Sequence, residues 1–259
     1  PKHPFMQLMQ ITEDYCYRNA DAIASVLPYA EGYYREHGAK KEIGYFPNSI
    51  DLHSWNYSSE LLNQDQLSQI EQLKQAGKFL VGYTGTVGIA NAVDTLIDAA
   101  ERLKQHDNIV FVIVGDGDQL QTLKSKVQQL QLNNVVFLGK ISKDEIPAML
   151  SYFDTVYLGW KNIDLYKFGV SPNKVMDYMM AKKPIIHAIT SDNDIVKEYD
   201  CGISVEAENC EALAKAVLNL SNCDSEQLEE MGNRGYEKVI NNHTYEQVAQ
   251  QYVTFLRNI

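Results

Sequence analysis

The chain has 259 residues, a formal net charge of -11 and a pI near 5.0, and 45% of its residues are hydrophobic. That length and apolar content supply one large core or two modest ones, whereas an acidic chain without basic runs repels a phosphate polymer, which excludes nucleic acid as the expected partner. No apolar run approaches the ~20 residues of a membrane-crossing helix, so no transmembrane segment is predicted.

The first residues, PKHPFMQLMQITEDYCYRNA, carry neither an initiator methionine nor a signal peptide. Phe5, Met9, Ile11 and Tyr15 keep roughly helical spacing, and the DAIASV that follows reads as a buried strand. One strand and two helices do not close a core. The expectation is therefore that the front of the parent protein is missing from this chain. Cys16, Cys201, Cys210 and Cys223 form no C-x-x-C pair and no zinc-like spacing, and they read as reduced thiols of a cytosolic protein.

From residue 78 onward strands and helices alternate. KFLVGYTG predicts a strand, and 90 to 104 a helix with Val93, Leu96, Ile97, Ala100 and Leu103 on one face. NIVFVIVGDG is an unbroken apolar strand, the pattern of a strand covered on both sides. A helix near 118 to 130 and the strand NVVFLG follow, and then Ser142 and Glu145 set a capping box for a helix reaching about 151. DTVYLGW, a 171 to 182 helix, KPIIHAI, a short helix near 193 to 199 and GISVE continue the alternation. Helices at about 209 to 221, 225 to 240 and 244 to 257 end the chain. Alternation of this length predicts an α/β fold: a Rossmann-like parallel sheet with helices on both faces, beside a remnant of a second α/β domain. Ligands of such sheets sit beyond the carboxyl ends of the strands, so the loops there are the candidate site.

The first loop, YTGTVGIAN, places Gly85 and Gly88 before a helix, either to bring backbone N–H groups to an anion or simply to turn tightly. The second, VGDGDQL, offers Asp116 for a dinucleotide ribose, but about thirty residues past the first loop rather than about twenty, and without the G-x-G-x-x-G fingerprint. An NAD oxidoreductase is thereby disfavoured. The third, FLGKIS, has backbone at Lys140 and Ile141 that either meets the edge of a base, with Ile141 over its ring, or merely connects a strand to a helix.

FGVSPNKVMDYMMAKKPII is the most informative stretch. Ser171 is expected to cap a helix and Pro172 to occupy its first turn, leaving Asn173 and Lys174 with free N–H groups at the positive end of the helix dipole. Asp177 lies about 4.5 Å further along the axis on the same face. The pair is either a surface ion pair worth at most ~1 kcal/mol or a site for a nucleoside diphosphate, with Lys174 on the phosphates and Asp177 on the ribose. The placement after a Gly-x-Ser-Pro-Asn loop, in a sheet with a second glycine loop, favours the latter. His3, His37, His53, His106, His187 and His243 are scattered without metal-ligand spacing, and His187, after a buried strand, either faces the cleft or, the favoured reading, is a satisfied core histidine.

TGTVGIANAVDTLIDAA, FVIVGDGDQLQTLK, VVFLGKISKDEIPAML and FGVSPNKVMDYMMAKKPII, in this order, resemble the carboxyl-terminal domain of GT-B glycosyltransferases of family 4, the group 1 transferases of bacterial surface-polysaccharide synthesis. The resemblance runs from about Asp21 to the end and is greatest to the branch with an S-P-N-K loop, whose members use UDP-linked acetamido sugars. It implies residues 1–47 as the end of an amino-terminal acceptor domain with its linker, 48–243 as the nucleotide-sugar donor domain, and 244–259 as a terminal helix crossing back. Gly85, Thr86, Gly88, Ser171, Pro172, Asn173 and Lys174 would face the donor diphosphate, Asp177 the ribose, Lys140 and Ile141 the base, and Gly169 and Val170 the sugar. The family's Glu-x7-Glu signature falls on Gly169 and Asp177, so the sugar-facing carboxylate is absent. Its basic loop residues fall on Thr86 and about Ala90 or Asn91. The implied activity is transfer of a hexosyl or acetamidohexosyl group from a UDP-sugar to an acceptor hydroxyl, retaining and metal-independent. No cofactor is implied, no catalytic residue is assigned in this chain, and a glycan or lipid-linked glycan acceptor would bind through the missing domain. The implied location is cytoplasmic, with peripheral contact at the inner face of the membrane left open. A UDP-sugar 2-epimerase of the same fold and a noncatalytic nucleotide-sugar binding module are the alternatives.

Overall fold

The computed structural model describes residues 3–55 and 57–259, so the first two residues of the predicted 1–47 segment lie outside it. In chain order the elements are α1 (Pro4–Asn19), β1 (Ala22–Ser25), α2 (Glu31–Glu36), β2 (Glu42–Tyr45), α3 (Gln64–Gln75), β3 (Phe79–Thr84), α4 (Val93–Arg102), β4 (Ile109–Val114), α5 (Leu120–Gln129) and β5 (Val135–Gly139). They continue with α6 (Ile146–Ser151), β6 (Thr155–Gly159), α7 (Asn173–Met180), β7 (Ile185–Ala188), α8 (Ile195–Glu198), β8 (Gly202–Val205), α9 (Cys210–Ser221), α10 (Ser225–Asn242) and α11 (Tyr245–Arg257).

The strands from β3 onward form one parallel sheet of order β5-β4-β3-β6-β7-β8. Its central strands β3, β4 and β6 are buried almost throughout, and alternate residues serve opposite layers. Leu80, Val112, Val156 and Ile185 face a layer built by α3, α6, α7 and α10. Val81, Phe111, Tyr157 and Ile186 face α4, α5 and α9. The chain runs outward from β3 through β4 to β5, returns across the other face in α6, and resumes at β6 on the opposite side of β3. The order therefore reverses between β3 and β6, which opens a crevice at their carboxyl ends.

Residues before α3 form a separate two-stranded parallel sheet, β1 with β2. DAIASV is a strand as expected, but of its four strand residues only Ser25 is buried, with Ala22 and Ile23 partly covered and Ala24 exposed. In α1 the apolar Phe5, Met9, Ile11 and Tyr15 are likewise exposed. The terminal helix meets this segment: the Phe46 ring lies 4.9 Å from Tyr252 and 5.4 Å from Phe255. Beside it the chains cross at an Ile50–Thr244 bridge, with Ile50 N–H on the His243 carbonyl at 2.9 Å.

Helix starts follow the sequence where a capping residue is present. Ser142 and Glu145 close the predicted capping box, and Asp224 with Gln227 and Thr244 with Gln247 close two more. The predicted 90 to 104 helix begins later, at Val93. A 3-10 turn over Ile89–Asn91 and a left-handed Ala92 (φ 45°) intervene, so that helix does not open directly after Gly88. No helix among the described residues is long and apolar enough to cross a membrane, and the four cysteines are free.

Candidate functional site

Helix α7 is fixed by what it buries. Val175, Met176, Tyr178, Met179 and Met180 are all buried under the sheet, each worth about 1.5–3 kcal/mol of transfer free energy for a large side chain. The Tyr178 hydroxyl receives the Thr84 N–H at 3.2 Å and donates to the Thr84 carbonyl at 3.4 Å. That pair sets the height of α7 against the end of β3. One turn earlier, Lys174 consequently crosses the first glycine loop.

Lys174 Nζ donates to Asn91 Oδ1 at 2.5 Å and sits 5.3 Å from the centre of the buried Tyr83 ring. A Cβ on Gly85, where φ is +134°, would overlap the Lys174 side chain, so the glycine here makes room for lysine. The loop is shaped by its Thr86 carbonyl, which accepts from Tyr83 Oη at 2.6 Å and from Asn91 Nδ2 at 3.0 Å. Asn91 thus links loop and ammonium. The sequence marks it only as one of two positions where a basic residue is absent.

Asp177 points elsewhere. It lines a cavity of about 370 Å³ together with Asn173, Lys143, Trp55 and Tyr245. A neighbouring cavity of about 390 Å³ is lined by Gly85, Thr86, Asp116, Lys140 and Ile141, and the two share Ile146. Lys174 and Asp177 form no ion pair with each other, which removes the reading of a surface salt bridge. Burial pushes the Asp177 carboxyl up to about 6, against the pull of Lys143 and Lys174. Burial also lowers the Lys174 ammonium to about 8, against the pull of Asp177. Two half-buried charges that do not satisfy each other, at the reversal point of a parallel sheet, make this place the candidate ligand site.

The start of α7 differs from expectation in one respect. Pro172 is the N-cap and no side chain caps the first turn. Ser171 does not cap, because its Oγ accepts the Asn48 N–H at 2.8 Å and its carbonyl accepts from Asn48 Nδ2. The α7 amides are left open to an anion even more fully than a serine cap would allow. Gly169 (φ +92°) packs against Pro28, and Val170 is buried with both main-chain groups bonded to Asn193. Gly88 lies in the first loop, where a methyl group in place of its hydrogen would stand 3.4 Å from Asp118 Oδ1, an ordinary contact.

His187 is a satisfied core histidine. It is fully buried in β7, receives the Trp160 indole N–H on Nε2 at 3.1 Å and turns Nδ1 to Asp194 at 2.8 Å. Asp116 and Gly117 are tied to the first loop through Val87 N–H on the Asp116 carbonyl, so these residues serve loop-on-loop packing. A wider concavity, about 950 Å³, lies beyond β7 and β8 and holds none of the predicted site residues. Its walls carry Asp164, Asp192, Asp194, Asp200 and Glu206 against Lys167 and Lys197, a balance that repels a diphosphate. Among the described residues no His, Cys, Asp and Glu group is arranged to hold a metal ion.

A parallel six-stranded sheet of this order, flanked by helices and open at its carboxyl edge, is an α/β half-domain of the GT-B kind. The profile of the family described as Glycosyl transferases group 1 matches residues 65–238, more than half of the chain, and the chain belongs to that family. A protein of Escherichia coli (strain K12) described as the colanic acid biosynthesis glycosyl transferase WcaI is 28% identical over 116 residues, 45% of this chain. The match spans 28% of that relative's length. Among solved structures, HepE of Anabaena in complex with UDP-glucose aligns over 100% of this chain and 70% of its own, at TM-score 0.78 and 18% identity. The C-terminal domain of the group 1 glycosyl transferase LpcC of Francisella tularensis aligns over 76% of this chain and 99% of its own, at TM-score 0.58 and 21% identity. These structural likenesses are likenesses of fold.

Proposed function

We propose that this chain carries the donor site of a glycosyltransferase that moves a hexosyl or acetamidohexosyl unit from UDP to an acceptor hydroxyl in surface-polysaccharide or glycoconjugate synthesis. The observation that carries the reading is the couple on α7 that does not pair with itself: Lys174 drawn over the glycine loop, Asp177 lining a cavity adjacent to the one lined by Lys140 and Ile141. The relatives described as a polysaccharide transferase and as a UDP-glucose complex support its direction. In this reading residues 48–243 are the donor domain, and 1–47 with 244–259 belong to the acceptor side.

The roles follow from charge and geometry. The open N–H groups at Asn173 and Lys174, the Lys174 ammonium and the backbone of Gly85, Thr86 and Gly88 receive the diphosphate. Asp177 accepts the ribose hydroxyls, and the Lys140–Ile141 backbone meets uracil. When the bond from the sugar's anomeric carbon to the diphosphate oxygen breaks, negative charge grows on that oxygen. A helix dipole and an ammonium already in place stabilise it without reorganisation. With Gly169 at the position of the absent glutamate, no carboxylate from α7's approach contacts the sugar.

Calorimetric titration with UDP, with GDP and NAD as controls, tests the reading. Saturable UDP binding is expected. A folded sample that takes up NAD and ignores UDP would sink it. In the full-length parent, release of free UDP with a new glycoside separates a transferase from an epimerase or a binding module.

Asp177 supplies a sharper test. Its ionised form accepts ribose hydroxyls, so affinity for UDP-glucose, whose diphosphate does not titrate near neutrality, should fall as pH drops through about 6. Asp177→Asn should weaken binding at pH 7.5 by about tenfold and remove that pH dependence. The same variant should be more stable. Asp177 has a folded pKa of about 6, above its unfolded value, so its contribution to stability is present below about 4 and is lost as pH rises to about 6. At neutral pH the buried carboxylate therefore costs about 3 kcal/mol, which asparagine relieves. Melting curves at pH 4 and 7.5 check this, since the gain should appear only at the higher pH.

A further inference from the structure

Asn193 lies outside the donor residues, on the loop between β7 and α8, yet it holds the chain that leads into α7. Its Oδ1 accepts the Val170 N–H at 2.9 Å and its Nδ2 donates to the Val170 carbonyl at 2.8 Å. One side chain thus occupies both main-chain groups of one residue, the pairing a neighbouring strand would offer. Ser191 Oγ donates to the Tyr166 carbonyl at 2.8 Å and lies 3.0 Å from Asn193 Oδ1. Four residues before the first helical residue, Gly169 (φ +92°) has room for no Cβ between Pro28 and Asn193.

The loop that carries Asn193 is itself anchored. Asp194 accepts the N–H groups of Val196 and Lys197 at the start of α8, at 3.2 and 3.3 Å, and meets His187 Nδ1 at 2.8 Å. Trp160, at the end of β6, donates its indole N–H to His187 Nε2, so that nitrogen accepts and Nδ1 carries the proton toward Asp194. The Trp160 ring also lies 5.0 Å from Tyr166. The clamp therefore runs from the sheet's core to Val170 through fully bonded groups.

We propose that Asn193 is a positioning residue for the diphosphate, setting the direction from which residues 171 to 173 enter α7 and hence where its open N–H groups aim. The proposal rests on the donor reading above. The far end of α7 is tied to Thr84 by Tyr178 and does not depend on Asn193. Its start is held by side chains at two points, Asn48 on Ser171 and Asn193 on Val170. Loosening the second blurs the anion site while leaving in place Asp177, which adjoins the Tyr178 anchor on α7, and Lys140 and Ile141, which lie on the loop after β5.

The consequence is a split between phosphate and nucleoside. In Asn193→Ala the affinity for UDP, by calorimetry, should fall about tenfold, while the affinity for uridine, by competition, should stay within about twofold of the parent. Asn193→Asp keeps an acceptor for the Val170 N–H, loses the donor and sets a carboxylate against the Val170 carbonyl. It should show the same split, and it decides the matter where the alanine variant does not fold. Unchanged UDP affinity, or equal losses for UDP and uridine, overturns the positioning role while UDP binding by the parent keeps the donor reading. A parent chain that binds no UDP overturns the donor reading and this role with it.

Discussion

Lys174→Met should lower the affinity of this chain for UDP by about 30-fold or more and leave the protein at least as stable as before. The ammonium is the cation that crosses the glycine loop, with Nζ on Asn91 and its stem over Gly85 and Tyr83. A charge-assisted contact to a diphosphate lost from a half-buried site is worth about 2–3 kcal/mol. The stability change has the opposite sign. Burial holds the folded pKa at about 8 against the usual 10.5, so the stability linked to this group is present above about 10.5 and lost as pH falls through about 8. At pH 7 the charged form therefore weighs against folding by about 3 kcal/mol. Methionine keeps the apolar stem and drops the charge, and the lost bond to Asn91 returns part of the gain. A net rise of about 1 kcal/mol is expected at pH 7, shrinking toward pH 10. Calorimetry with UDP and melting curves at the two pH values measure both signs. A variant that binds UDP like the parent and melts earlier would make the ammonium structural and move the anion site elsewhere.

Opposite signs of this kind explain why α7 is legible in the sequence at all. Opposite charges three residues apart on a helix ordinarily pair at the surface. Here the loop before them and the apolar run after them, VMDYMM, force the helix under the sheet, so both charges are carried inward. The sheet is equally legible, since IVFVIV and TVYLG are apolar without alternation, which only strands covered on both faces tolerate. What escapes is set by distant partners. Ser171 is a good capping residue by type, yet its hydroxyl is taken by Asn48, 123 residues away, and Pro172 becomes the cap. The delay of α4 to Val93 needs a left-handed Ala92, which no local rule favours for alanine. The same holds for Asn91 and Asn193, polar residues in loops whose roles exist only once β3 meets α7 and β7 meets β6. DAIASV misleads in the other direction: the segment is apolar enough to read as buried, yet Ala22 and Ile23 are only partly covered and Ala24 is exposed.

Gly115→Ala should cost about 3–5 kcal/mol of stability, the largest loss expected from adding a single methyl group near the site. The loops after β3 and β4 run in contact. Gly85 N–H bonds the Val114 carbonyl at 2.9 Å, Val87 N–H the Asp116 carbonyl at 2.8 Å, and Gly115 N–H the Gly139 carbonyl at 2.8 Å. These bonds continue the ladder of β3, β4 and β5 past the ends of the strands. A Cβ on Gly115 would fall on the Gly85 carbonyl oxygen, and one on Gly117 on the carbonyl oxygen of Val87. Main chain cannot swing away as a lysine tip can. Gly85→Ala makes the contrast, because its methyl meets only the flexible Lys174 stem, and the loss there should be about 1–2 kcal/mol, from the positive φ, with UDP affinity falling as Lys174 is displaced. Denaturant unfolding of the two variants orders them. If Gly115→Ala unfolds at the parent's midpoint, the two loops are not in contact, and the proposed anion site loses the rigid floor on which Gly85 and Thr86 stand.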